Sequence, residues 1–192
     1  MMKLLFASRN LNKLKEVSAI LENQTVISLR EFNDEDEVIE DGNTFHENAY
    51  KKAKHFYDKY KVPTFADDSG LVVPVLNDEP GIMSARYAGE DATDAENNQK
   101  LLKKLIGSNN RDAYFITVIC YIDKEGNTSY FEGRVDGIIL TELKGTDGFG
   151  YDPLFYLPEY GKTYAELGNE KNKISHRYLA LEKLNKFLNK DD

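Results

Sequence analysis

Tryptophan is absent from the sequence, cysteine occurs once and histidine three times in 192 residues. A single thiol, Cys120, cannot close an intramolecular disulfide; it lies in an apolar alternating stretch and reads as a small packed hydrophobe, so a reducing compartment is the default. One cysteine and the scattered His46, His55 and His176 do not make a zinc centre. No nucleophile elbow accompanies those histidines, which excludes a serine or cysteine triad of that design, and neither a Walker loop nor a dinucleotide fingerprint occurs. Basic residues are in deficit, 25 against 33 acidic, and the resulting charge of −8 argues against an ordinary nucleic-acid binder. Long apolar runs are missing too: Leu71 to Leu76 and Tyr114 to Ile122 are strand-sized, far short of the roughly 20 residues that span a membrane. Near the N-terminus, Leu4 to Ala7 is cut short by Arg9 and reads as a buried strand rather than a signal peptide. The expectation is a soluble, cytoplasmic protein with neither membrane nor nucleic acid as a partner.

What is present suits a packed core: 41% of residues are hydrophobic and 30% charged, without repeats, low-complexity tracts or linkers, so one domain over 1–192 is expected. Lys3 to Ala7 predicts a strand, Ser8-Arg9-Asn10 a polar turn, and the spacing of Leu11, Leu14, Val17 and Leu21 an amphipathic helix. Thr44 with Glu47 and Thr93 with Glu96 are capping boxes that open two further helices, the second stopping at Gly107. Thr64 to Ala66 and Leu71 to Leu76 read as β segments flanking Asp67-Asp68-Ser69-Gly70, which puts two carboxylates at a strand-to-strand junction. Tyr114 to Ile122, apolar on both faces, predicts a central strand paired through a Gly126-Asn127 turn with Ser129 to Leu140, and Ser175 to Leu188 a last helix. The order β-α-α-β-β-α-β-β-α points to a mixed sheet flanked by helices, α/β or α+β equally.

Several clusters carry possible chemistry. Ser8, Arg9, Asn10, Leu11, Asn12 and Lys13 stand where a strand hands over to a helix, a place that suits an anion; a plain capped helix with Lys13 in water is the plainer reading. Asp67 and Asp68 lie among apolar neighbours, where a hard cation such as Mg²⁺ or local hydrogen bonds must compensate their burial; turn residues bonding the backbone are the alternative. Glu40 and Asp41 close an acidic stretch just before a fixed helix start, as a second metal ligand or as part of a solvated loop. Gly145 to Pro153 is glycine-dense and holds Phe149 and Tyr151, suited to close approach and stacking on a flat ring, or to a tight hairpin. Lys171, Lys173, His176 and Arg177 bring positive charge to the start of the final helix; with Lys13, two basic helix starts in an acidic protein favour an anionic ligand.

Six segments occurring in one order resemble the inosine triphosphate pyrophosphatase family, the bacterial-type dITP/XTP pyrophosphatases. They are Ser8-Arg9-Asn10-x-x-Lys13, Gly42-x-Thr44-Phe45-x-Glu47-Asn48-Ala49, Phe65-Ala66-Asp67-Asp68-Ser69-Gly70-Leu71, Pro80-Gly81-Ile82-x-Ser84-Ala85-Arg86-Tyr87, Gly148-Phe149-Gly150-Tyr151-Asp152-Pro153 and Ile174-Ser175-His176-Arg177. The resemblance implies an elongated mixed sheet with two α/β lobes around a nucleotide cleft, usually a homodimer. It also implies Mg²⁺-dependent hydrolysis of non-canonical purine nucleoside triphosphates such as ITP, dITP and XTP to monophosphate and pyrophosphate. On this chain, Ser8 to Lys13 would hold the triphosphate, with Lys13 adding catalytic charge. Asp68 would be catalytic carboxylate and metal ligand with Glu40, and Ser69 would touch substrate. Phe149, Gly150, Tyr151 and Asp152, with Lys171, His176 and Arg177, would form the purine pocket. Asp68 would activate water itself or through the metal, with Asp67 or Glu40 then taking the proton. A septum-formation-type pyrophosphatase with another base preference, and a nucleotide-binding module without chemistry, are the alternatives.

Overall fold

The computed structural model describes residues 3–189. Its strands are β1 (Lys3–Phe6), β2 (Thr25–Ser28), β3 (Thr64–Val72), β4 (Asp112–Ile122), β5 (Thr128–Ile139), β6 (Phe155–Leu157) and β7 (Lys162–Thr163). The helices are α1 (Leu11–Ile20), α2 (Phe45–Tyr60), α3 (Asp94–Lys104), α4 (Tyr164–Leu167) and α5 (His176–Leu188). One mixed sheet orders the strands β2-β1-β3-β4-β5-β6-β7, with β1 parallel to β2 and β3, and β6 antiparallel to β5 and β7. This is the mixed α/β architecture that the sequence predicts. Among the described residues no helix is long and apolar enough to cross a membrane.

The chain packs as two compact units, the first built from residues 1–68, 117–133 and 177–192, the second from 69–116 and 134–176. In the first unit β1 has β2 on one side and β3 on the other. Right-handed crossovers that extend a parallel sheet in opposite directions leave their helices on opposite faces, and strand order reverses at the carboxyl end of β1. Side chains follow this division. Leu4, Phe6 and Phe65 pack with Val17 and Leu21, in and just after α1, and with Ala180, Leu181 and Leu184 of α5. Phe6 and Phe65 stack at 4.9 Å, fixing β1 against β3 one turn before the polar loop. In the second unit Leu71, Leu101, Leu105, Phe115, Tyr151, Phe155 and Tyr164 form a separate core.

Two sequence expectations change here. Asp67 to Gly70 do not form a junction: β3 runs unbroken from Thr64 to Val72, and the β-rich run ends there because Pro74 opens a 3-10 turn. Neighbouring residues of a strand face opposite sides, so Phe65 and Asp67 share one face, Ala66 and Asp68 the other. The second correction concerns α2. Thr44 caps it by accepting from Glu47 N, but Glu47 reaches back to Asn43 N rather than to Thr44 N, so the box is not reciprocal. The box of α3, Thr93 with Glu96, closes both ways.

Candidate active site

In the first unit the polar loop after β1 sits at the reversal point of strand order. Asn10 is the N-cap of α1, its Oδ1 accepting from Asn12 N and Lys13 N at 3.0 and 3.2 Å, while Ser8 Oγ accepts from Asn10 N at 3.2 Å. Two of the amides expected to face an anion are therefore taken by the cap. The Lys13 ammonium turns instead to Asp67, 3.0 Å from Oδ1 and 2.9 Å from Oδ2. On the same carboxylate lies Arg177 Nε at 3.4 Å, and its Nη1 donates to Glu16 Oε2 at 2.5 Å. Lys13, Asp67, Arg177 and Glu16 thus form a charge-balanced, largely buried chain. Lys13 and Arg177, at the two basic helix starts, meet the anions Asp67 and Glu16 within the protein itself.

Electrostatics follow from this packing. Burial alone would raise the Asp67 carboxyl, but Lys13 and Arg177 outweigh it and hold the group well below the carboxylate range. Burial lowers the Lys13 ammonium, and Asp67 opposes the shift. Burial disfavours charge on Arg177 as well, yet Asp67 and Glu16 push its pKa upward.

On the opposite face Asp68, 7% exposed, meets α2 and the acidic loop. Burial, assisted by the negative charge of Glu40, pushes its carboxyl up to about 6, although Lys52, the Asn48 amide and Lys13 pull it down. Lys52 Nζ bridges to Glu40 at 3.1 Å, and fully buried Asn48 accepts from Gly42 N at 2.8 Å, tying the loop that carries Glu40 to α2. A cavity of about 320 Å³ opens between the polar loop after β1 and the acidic loop, walled by Ser8, Arg9, Asn10, Lys13, Lys52, Glu40 and Asp67 among others. Arg9 is exposed on its rim, 3.9 Å from Glu37. Lys52, Asn48 and Glu16 are absent from the site read out of the sequence; the i, i+4 spacing of Asn48 and Lys52 on α2 is the one local signal for the first two.

Buried Asp68 and half-buried Glu40 repel one another and fit a hard divalent cation: it would offset the burial and the repulsion that raise Asp68, and one or two carboxylates plus phosphate oxygens is what Mg²⁺ takes. Among the described residues no group of three or more His, Cys, Asp or Glu forms a metal cage.

The second unit holds the glycine-dense loop. Gly148 has φ +79°, and a Cβ there would lie 2.1 Å from Asp152 Oδ2, so the position requires glycine. That oxygen accepts from Phe149 N at 3.1 Å and from Lys171 Nζ at 2.6 Å in a buried pair, with Lys171 4.9 Å from the Phe149 ring centroid. Tyr151 belongs to the core, its hydroxyl donating to Ser84 O at 2.7 Å and its carbonyl accepting from Leu154 N and Phe155 N at 2.9 and 3.1 Å. His176 is buried and stacks on Phe115 at 4.7 Å and 9°. Ser69 opens this unit in the chain, directly after Asp68.

With this geometry in hand, comparison with known proteins is specific. The profile of the Ham1 family matches residues 4–187. A dITP/XTP pyrophosphatase of Desulfotalea psychrophila is 52% identical over 93% of this chain and 81% of its own length. One of Clostridium perfringens is 48% identical over 96% of each. The solved structure of a HAM1 protein from Coxiella burnetii superposes with a TM-score of 0.93 at 41% identity, covering 99% of this chain and all of the other.

Proposed function

Because the chain belongs to the Ham1 family, we propose that it hydrolyses ITP, dITP and XTP to the monophosphate and pyrophosphate, as one catalytic domain over 1–192 acting as a homodimer in the cytoplasm. The observation that carries the reading is the division of β3: Asp67 locked between Lys13 and Arg177 on one face, and Asp68 raised to about 6 beside Glu40 on the other.

Ser8, Arg9, Asn10, Leu11, Asn12 and Lys13 hold the triphosphate, and Lys13 stabilises the charge that develops as the bond to pyrophosphate breaks. Asp68 and Glu40 would hold Mg²⁺, which would neutralise phosphate charge and lower the barrier to attack. Water adds to the α-phosphorus, the bond to the bridging oxygen breaks, and pyrophosphate leaves. Of the three candidate proton acceptors Asp67 is the poorest, since its two cations keep it ionised and weakly basic; this leaves Asp68 or Glu40 to take the proton of the attacking water. Ser69 contacts substrate. Phe149, Gly150, Tyr151 and Asp152, with Lys171, His176 and Arg177, serve the purine, Arg177 acting through Asp67. Donors that meet a 6-oxo group would face the amino group of ATP and leave a buried donor unmatched.

Incubation with Mg²⁺ and ITP, XTP or ATP, resolving nucleotides and phosphates, tests this. Inosine or xanthosine monophosphate plus pyrophosphate is expected, with kcat/KM on ATP lower by on the order of 100-fold. Diphosphate plus orthophosphate, or equal rates on ATP, would refute it.

A further inference from the structure

The glycine-dense loop is fastened at its middle by α3. Gly150 N donates to Asp94 Oδ2 at 2.7 Å, and Gly150 O accepts from Asn98 Nδ2 at 2.8 Å. Asp94 and Asn98 lie one helical turn apart on the same face, so a single helix grips the donor and the acceptor of one residue. Asn98 is buried and Asp94 exposed. The helix is itself held: Asn97 accepts from Ala88 N at 2.8 Å and donates to Ala85 O at 3.0 Å. Gly150 has φ +62°, and nothing stands within 4 Å of where its Cβ would be, so no neighbouring atom crowds that side of the residue.

We propose that Asp94 and Asn98 are specificity-determining positioning residues, which orient the Phe149–Gly150–Tyr151 backbone and the Phe149 ring toward the purine. The inference rests on the function proposed above and deepens it. Phosphorus chemistry belongs to residues of the other unit, so losing the grip on Gly150 should weaken purine recognition and leave the chemical step alone.

Steady-state kinetics on ITP and ATP separate the possibilities. Asn98→Ala should raise KM for ITP about tenfold, keep kcat within about twofold, and reduce the ITP-over-ATP ratio of kcat/KM. Asn98→Asp has the same size but sets an oxygen against the Gly150 carbonyl, and should do at least as much. Asp94→Ala should raise KM about threefold, while Asp94→Asn, which keeps an acceptor for Gly150 N, should restore it. A merely structural role would lower melting temperature without moving the substrate ratio. Unchanged KM and ratio in folded Asn98 variants, or a fall in kcat alone, would overturn the proposal; should Asn98 variants fail to fold, the Asp94 pair decides in the same way. Failure of the unsubstituted enzyme to hydrolyse ITP would instead overturn the functional reading.

Discussion

Asp34 illustrates how a single carboxylate holds a loop. It is buried, accepts from the Tyr60 hydroxyl and pairs with Lys59 at 2.8 Å; Lys59 also bonds Asp36, which His55 reaches at 2.9 Å. Burial would raise Asp34, but Lys59 and Tyr60 bring it down to about 2, from 3.8. A depressed acid contributes stability that is complete above its unfolded pKa and is lost as pH falls from about 4 through about 2. Tyr60→Phe should therefore lower the melting temperature at pH 7 by about 4 °C, and the gap should close by pH 2, as thermal scans across that range would reveal. Such residues are nearly invisible in sequence. Glu16 and Arg177 lie 161 positions apart and Lys13 and Asp67 54, so no local pattern announces that these cations already have anions. Ser8, Asn10, Lys13 and the Asp67-Asp68 pair were legible as a site, whereas Lys52, Asn48 and Glu16 acquire meaning only when folding brings them together.

Elements were legible where their signals are local and long. The start of α3 can be read directly, since Thr93 Oγ1 accepts from Glu96 N at 3.3 Å and Glu96 returns to Thr93 N at 2.7 Å. Thr93→Ala should cost about 1 kcal/mol, measured by urea unfolding, and because the same turn presents Asp94 it should raise KM for ITP more than kcat falls. Central β4, apolar on both faces, was equally plain, and it is fourth of seven in the sheet. The short pieces were not: β2 has four residues, β6 three, β7 two and α4 four, too few for a period to show. In β3 the pattern misled for a different reason. Two acids inside a buried strand look like a turn until the cations that neutralise them are in view.

At the scale of the molecule, a chain of charge −8 sets Arg9, Lys13 and Lys52 on the wall of one cavity together with Asp36, Glu37, Glu40 and Asp67, so a polyanion proposed to bind there calls for a divalent cation to offset the acids. The units are interleaved in sequence, and two of the points where the chain passes between them, Asp68 to Ser69 and His176 to Arg177, fall within proposed site residues. The homodimer is the part of the proposed function that a mass measurement tests directly. Sedimentation equilibrium should give twice the mass of one chain; a mass of one chain at micromolar concentration would remove that part of the reading.

The back-to-back placement of Asp67 and Asp68 also bears on how the sheet assembles. If β3 slipped by one residue in one direction, Ala66 would stand between Lys13 and Arg177 and leave two buried cations without that carboxylate; in the other, Ser69 would face Lys52. Either slip also turns Phe65 away from Phe6. The first slip breaks a buried pair, which costs about 3 to 5 kcal/mol, a large share of a domain's whole stability. Asp67 therefore serves as an alignment key in one direction and the Phe6–Phe65 stack in both: the strand that carries residues proposed to run the chemistry is penalised for slipping.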